Sequence, residues 1–133
     1  MRLIAATAGL LAFFIVASSA GACDCGTLNL PRRVAEADLV LVATVSSYRQ
    51  LEYVTVAPTE IFKGAAAKAL TIITGISDCD YFLPPVIPKV GDEYLLFLRQ
   101  VKGEFTASRC LASGRKEAKA GDLRALRNTS GPK

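Results

Sequence analysis

The hydrophobic pattern of the chain separates an apolar leader from a region of short β-type segments. Arg2 gives the leader a positive start, residues 3–16 are apolar and uncharged, and residues 18–22 are small. This order is typical of an export signal that is cleaved after its last small residue. We therefore predict a signal peptide over residues 1–22 and a mature chain that begins at Cys23.

Two alternatives to cleavage fit the same leader. About 20 apolar or small residues are just enough to span a bilayer as an uncleaved anchor. A small residue before Cys23 also resembles the lipid-attachment signal of lipoproteins, but lipid on Cys23 would leave three cysteines, which cannot all pair. We therefore favour a free N-terminal Cys23 and no stable membrane anchor after cleavage.

The mature chain contains five segments with strand-like patterns. Residues 39–45 form a nearly continuous β-branched and apolar run, which indicates a buried central strand. The other four segments are residues 53–56 with an extension past Pro58 to residue 62, residues 70–74, residues 94–98 and residues 104–109. Five strands in this arrangement predict a mainly β protein with a small barrel.

Two helices are expected beside the strands. Residues 31–37 predict a short N-terminal helix with Asn29 as its cap. The apolar spacing over residues 115–127 predicts an amphipathic C-terminal helix, although a glycine near its middle weakens the pattern. We expect residues 23–127 to form one domain and residues 128–133 to form a flexible tail.

Charge and composition argue against nucleic acid as a partner. Loss of Arg2 with the leader leaves fifteen Lys and Arg against twelve Asp and Glu, a net charge of +3, which is too mild to indicate nucleic-acid binding. The aromatic residues lie at strand spacing and are expected to fill the barrel rather than to stack on bases. They are Tyr48, Tyr53, Phe62, Tyr94, Phe97 and Phe105.

Enzymatic chemistry has little support in the sequence, and no cofactor is expected. The chain has no histidine, which excludes histidine-based triads and histidine-ligated metals. Asp78 and Asp80 flank Cys79, and Asp92 adjoins Glu93, but neither pair has the separation of a facing acid and base. We interpret these groups as loop and turn carboxylates.

Four cysteines lie in the exported part of the chain, and an even number in an oxidising compartment favours two disulfides. A bridge between Cys23 and Cys25 would be strained and would constrain almost nothing. The two other pairings both tie the N-terminal segment to Cys79 and Cys110, and each bridge would contribute about 4 kcal/mol in the chain-entropy model. A four-cysteine zinc site is the competing interpretation, but its paired C-x-x-C motifs are missing.

Several segments, in order along the chain, resemble the netrin-like module of the tissue inhibitors of metalloproteinases (TIMPs) and of their short bacterial relatives. The segments are Cys23-Asp24-Cys25, residues 37–42, residues 60–64, the central Cys79, residues 91–95, Ser108-Arg109-Cys110 and residues 120–126. The resemblance implies a five-stranded oligosaccharide/oligonucleotide-binding-type (OB-like) barrel with flanking helices. It also implies the pairings Cys23 with Cys79 and Cys25 with Cys110.

The resemblance also implies a site. In the inhibitors, the α-amine and carbonyl oxygen of the first cysteine chelate the catalytic zinc of a metalloprotease, a role that falls on Cys23 here. An α-amine has a pKa of about 8, so it loses its proton to a metal at modest cost. Asp24 would point into the protease's specificity pocket, and Ser77 and Asp78 would lie beside it through the Cys79 bridge.

Two function hypotheses follow. The favoured one is a secreted or periplasmic interaction module without enzymatic activity, which binds an extracytoplasmic protein through Cys23, Asp24, Cys25, Ser77 and Asp78. The alternative is a metalloendopeptidase inhibitor that binds a partner's zinc through Cys23. Asp24 favours the first, because an unpaired carboxylate that enters an apolar pocket loses several kcal/mol of hydration. Fold alone does not decide between them.

Overall fold

The computed structural model describes residues 23–130, so the predicted leader and residues 131–133 of the predicted tail lie outside the described residues. The helices are α1 (Leu30–Glu36) and α2 (Ala120–Ser130). The strands are β1 (Leu39–Arg49), β2 (Tyr53–Lys63), β3 (Leu70–Ile73), β4 (Glu93–Val101), β5 (Glu104–Ala107) and the short β6 (Gly114–Arg115). Within residues 23–130, neither helix is long and apolar enough to cross a bilayer.

Five strands close into a barrel in the order β1-β2-β3-β5-β4, and pairing of β1 with β4 completes the ring. The neighbours are antiparallel except β3 and β5, which are parallel. The short β6 adds to β4 outside the ring. The predicted fold class, a mainly β OB-like barrel with an N-terminal helix, a C-terminal helix and two disulfides, is confirmed.

Strand β1 separates two apolar cores. Leu39, Leu41, Ala43 and Val45 face the barrel interior. Val40 and Val42 face a second core under the helices, which we call the outer core. Successive side chains of a strand point to opposite faces, so a strand covered on both sides needs apolar residues at every position. This two-sided burial explains the continuous apolar run of residues 39–45.

The strand spacing predicted that the aromatic residues fill the barrel, and this prediction is wrong for two of them. Tyr94 lies inside, but Phe97 lies in the outer core and Phe62 packs against that core. Their positions follow from strand alternation, since Phe97 stands an odd number of residues from Tyr94 and faces outward. Phe82, from the long loop before β4, fills the barrel instead and contacts Tyr94 edge to face, with ring centroids 5.4 Å apart.

Strand β2 continues through Pro58 without ending. The pairing with β1 shifts register opposite Val42 and Ala43, where Pro58 has no N–H to donate. The hydroxyl of Thr59 donates to the Val42 carbonyl at 3.2 Å. A side-chain donor thus satisfies a carbonyl at the irregularity, and the predicted extension past Pro58 is confirmed.

Helix α1 is held at both ends. The Asn29 side chain accepts from the Arg32 N–H at 3.0 Å, which confirms the predicted N-cap. At the other end, Lys63 Nζ donates to carbonyls that have no partner within the helix. They belong to Val34, Ala35 and Ala37, at 2.9, 3.3 and 2.6 Å.

The C-terminal helix differs from the prediction in its bounds. Residues 114–115 pair with β4, residues 116–119 form a 3₁₀ turn, and α2 begins only at Ala120. Gly121 therefore lies in the first turn of α2 and not at its middle. The helix continues to Ser130, so residues 128–130 of the predicted tail are helical.

Candidate functional site

Two disulfides attach the N-terminal segment to the barrel. Cys23 bridges Cys79 with a Cα–Cα distance of 5.1 Å, and Cys25 bridges Cys110 at 4.7 Å. The pairings implied by the family resemblance are confirmed. Asp24 lies between the two bridged residues and is exposed.

Cys79 and Cys110 are close because their segments pair. The Arg109 N–H donates to the Cys79 carbonyl at 2.7 Å, and the Tyr81 N–H donates to the Ala107 carbonyl at 2.8 Å. This short antiparallel contact centres on residues 80 and 108. Cys79 and Cys110, which receive the two bridges, are therefore held by one hydrogen-bonded pair of segments, although 31 positions separate them in the sequence. We call this pair of segments the platform.

The loop before Cys79 is folded around a buried carboxylate. Asp80 is 5% exposed, and its Oδ2 accepts from the backbone N–H groups of Ile76 at 2.9 Å and Ser77 at 3.4 Å. The Ser77 hydroxyl oxygen accepts from the Cys79 N–H at 3.0 Å. Asp80 therefore has a structural role, and the loop is ordered by its own side chains while Ser77 and Asp78 remain exposed.

We call residues 23–25 and 76–80 the bridged edge. Sequence reasoning placed Asp24, Ser77 and Asp78 on this surface, and the Cys23–Cys79 bridge links the two segments that carry them. The bridge connects the backbones and leaves these three polar side chains exposed. The edge is thus a disulfide-linked surface with two exposed carboxylates, Asp24 and Asp78.

Sequence reasoning missed two exposed apolar residues, one within this edge and one in the turn that packs on its loop. Ile76 is 60% exposed in the loop, and Leu51 is 54% exposed in the β1–β2 turn. Two contacts show that the turn packs on the loop. The Thr74 N–H donates to the Glu52 carbonyl at 3.0 Å, and a Cβ added at Gly75 would overlap the Leu51 backbone. Their sequence signal is weak, since a single apolar residue in a turn is common.

The four bridged sulfurs lie close together. Cys23 Sγ is 3.4 Å from Cys110 Sγ and 3.5 Å from Cys25 Sγ. Metal ligation requires thiolates, and a bridged sulfur is not one. The oxidised cluster is therefore not the four-cysteine zinc site that the sequence had left as an alternative. Among residues 23–130, no N–H or O–H donates to the Cys23 carbonyl, which leaves that oxygen open to another ligand.

The second acidic pair also has structural partners. Asp92 accepts from the Lys89 N–H at 3.0 Å and lies 3.4 Å from the Arg115 guanidinium. Glu93 pairs with Lys116 at 3.0 Å. Asp92, and after it Glu117, raise the pKa of Arg115 by charge attraction. Asp92 is thus a turn carboxylate, as interpreted from the sequence, whereas Glu93 is the first residue of β4 and has an ion pair of its own.

Comparison with known proteins found no matching family model and no curated protein with significant sequence similarity. The relation to the netrin-like module therefore remains a prediction from the ordered sequence segments.

Proposed function

We propose that the mature chain is a secreted or periplasmic protein-interaction module that binds an extracytoplasmic partner through the bridged edge and has no enzymatic activity. The observation that carries this proposal is the exposed Asp24 between two disulfides anchored on one platform. A segment that is ordered before binding loses little conformational entropy in the complex. Ile76, within the bridged edge, and Leu51, in the turn that packs on its loop, add exposed apolar area.

The compartment and the chemistry of the edge agree with this proposal. Disulfides persist in oxidising, extracytoplasmic compartments. Asp24 and Asp78 make the edge acidic, so we expect the partner to offer basic or hydrogen-bonding groups there. A carboxylate that meets such groups keeps favourable interactions, whereas one buried in an apolar pocket does not.

The test is partner capture by edge variants. The mature two-bridge protein is immobilised and exposed to the extracytoplasmic fraction of its host, and the proteins retained by the original sequence are quantified for Asp24→Lys and Ile76→Lys. Val101→Lys is the matched control, because Val101 is 50% exposed and lies away from the bridged edge. The N–H of its neighbour Gln100 donates to Asp38, just before β1, whereas the loop of the bridged edge packs on the turn at the other end of β1. We expect both edge variants to lose the partner and the control to keep it. Equal capture by all variants would exclude the bridged edge.

A second candidate function is zinc-directed protease inhibition through the Cys23 amine and carbonyl oxygen. The bridge to Cys79 and the open carbonyl favour it, because a chelating group must be held rigidly and must not already be hydrogen-bonded. It requires cleavage after residue 22. We expect Asp24→Ser to strengthen inhibition of proteases with apolar pockets, since the buried carboxylate is removed.

One extra N-terminal alanine separates the two candidates. The extension acylates the Cys23 amine and removes chelation but leaves the edge side chains in place. An interaction module keeps its partner after this change, whereas a zinc-directed inhibitor loses potency. Undiminished inhibition by the extended protein would exclude chelation.

A further inference from the structure

A pocket of about 300 Å³ opens next to the platform that carries the bridges. It lies between the loop after Cys79, the 3₁₀ turn Arg109–Leu111 and the 3₁₀ turn Lys116–Lys119. Two of its lining residues, Arg109 and Lys119, are cationic, and none is acidic. The pocket therefore has a local positive charge in a protein of modest net charge.

The Arg109 side chain is positioned by the fold. Its Nε donates to the Asp80 carbonyl at 3.0 Å, and its own N–H is bonded to Cys79. Since Nε is engaged, the two terminal nitrogens of the guanidinium are left to meet a ligand. A guanidinium held in this way loses less entropy when it binds an oxyanion in a bidentate manner.

The Lys119 side chain approaches the backbone of β6. Its aliphatic part lies across Gly114, where an added Cβ would be 2.5 Å from Lys119 Cε and 3.1 Å from Cγ. Glycine at residue 114 thus leaves the room that this side chain occupies. Lys119 lines the same pocket as Arg109.

Neither cation is neutralised within the described chain. Among residues 23–130, no carboxylate lies within ion-pair distance of Arg109 or Lys119. A neighbouring groove along α2 differs, because two of its three cations, Lys116 and Arg127, pair with Glu93 and Glu60, and only Arg124 has no ion pair among the described residues. Both cations of the pocket are thus unpaired, whereas most cations of the groove are paired.

We propose that this pocket binds an oxyanion, phosphate or carboxylate, carried on a small aromatic or apolar body. Arg109 and Lys119 would bind the oxygens, and Tyr81, Pro85 and Val86 supply an apolar wall beside them. A charged head next to an apolar surface is the usual composition of a small-molecule site. The proposal does not depend on the function proposed for the bridged edge.

The test is a titration of the mature two-bridge protein with phenyl phosphate, benzoate and inorganic phosphate at constant ionic strength, followed by amide chemical shifts. We expect saturable shifts confined to residues near 109 and 112–113. We also expect phenyl phosphate to bind more tightly than inorganic phosphate, because only the former contacts the apolar wall. Equal affinities for these two would overturn the role of the wall, and shifts spread evenly over all basic residues would overturn the site.

Variants identify the two cations. Arg109→Met and Lys119→Met should each weaken phenyl phosphate binding at least about tenfold, the loss expected for one charge-assisted hydrogen bond. Arg124→Met is the matched control, because it removes one positive charge from the neighbouring groove. If Arg109→Met does not form both bridges, Lys119→Met alone decides the question. Unchanged affinity in Lys119→Met would refute the proposal.

Discussion

Arg33 shows how a charged side chain is accommodated between the barrel and the helices. It is 8% exposed, pairs with Asp122 at 2.9 Å, and lies 4.9 Å over the Phe97 ring. It also donates to the Leu111 carbonyl at 3.5 Å. These contacts link α1 to β4, to α2 and to the turn that carries Cys110. Arg33 thus connects the outer core to the Cys25–Cys110 bridge.

Removal of Asp122 should therefore be costly. Asp122→Ala leaves the Arg33 guanidinium buried without its ion-pair partner, and we expect the free energy of unfolding to fall by about 3 kcal/mol. Denaturant unfolding measures the change. Arg32→Ala is the control, because its pair with Glu36 is exposed and is worth about 0.5 kcal/mol or less. Equal effects of the two variants would contradict this account of Arg33.

Cys23 lies close to the Cys25–Cys110 bridge, which predicts that Cys110 can exchange its partner. In Cys79→Ser, Cys23 is a free thiol whose sulfur lies 3.4 Å from that of Cys110 in the parent structure. Its thiolate can attack Cys110, form Cys23–Cys110 and release Cys25 as a thiol. Peptide mapping after alkylation of the Cys79→Ser variant should find two species, one with Cys25–Cys110 and one with Cys23–Cys110. The Cys23→Ser/Cys79→Ser double variant, which can form only Cys25–Cys110, is the control, and exclusive Cys25–Cys110 in the single variant would contradict the prediction.

Tyr94 predicts a loss of stability at high pH. Burial raises its pKa to about 12, whereas the unfolded chain has the ordinary value of about 10. The folded state therefore holds the phenol proton more tightly, so this contribution to stability is complete below pH 10 and declines between pH 10 and 12. Unfolding measured across that window should show the decline, and Tyr94→Phe should reduce it. Burial also raises the pKa of Tyr81, so some dependence should remain.

At the scale of elements, α1 depends on a residue from β2. Lys63 caps three carbonyls of the helix C-terminus, and the neighbouring Gly64 turns the chain with a φ of 81°. A Cβ at Gly64 would meet the Asp38 carbonyl. The Lys63-Gly64 pair thus both ends β2 and fixes the helix against the barrel.

This cap gives an element-scale prediction. Lys63→Met keeps the aliphatic stem but leaves the carbonyls without their donor, and we expect a loss of about 1–3 kcal/mol in the free energy of unfolding. Hydrogen exchange should show that residues 30–36 lose protection before the barrel does. Lys68→Met is the control, because Lys68 is exposed. Equal protection of α1 in both variants would contradict a capping role for Lys63.

Sequence patterns predicted most elements, and the misses have local causes. The N-cap at Asn29 and the strands were readable because caps and alternation are short-range signals. The start of α2 was not, because residues 114–119 are engaged by β4 and by a 3₁₀ turn before the helix begins. Tertiary pairing overrode the helical pattern there.

At the scale of the whole molecule, the bridges join distant parts of the chain. Cys25–Cys110 spans 85 residues and connects the N-terminal segment to the turn beneath α2. Replacement of both cysteines by serine should lower the free energy of unfolding by about 4 kcal/mol, since the unfolded chain regains the freedom of that loop. Denaturant unfolding at neutral pH measures it. No loss of stability would mean that the barrel and the outer core order this segment unaided.

The sequence by itself determined the fold class, the pairing of the four cysteines through the resemblance, and the polar residues of the bridged edge. These depend on periodicity and on residue order. Only the tertiary structure decided that Phe82 rather than Phe97 fills the barrel, that the turn of Leu51 packs on Gly75, and that Arg109 and Lys119 share one pocket. The physical reason is that contacts between separate elements arise from barrel closure and loop packing, which no local pattern encodes.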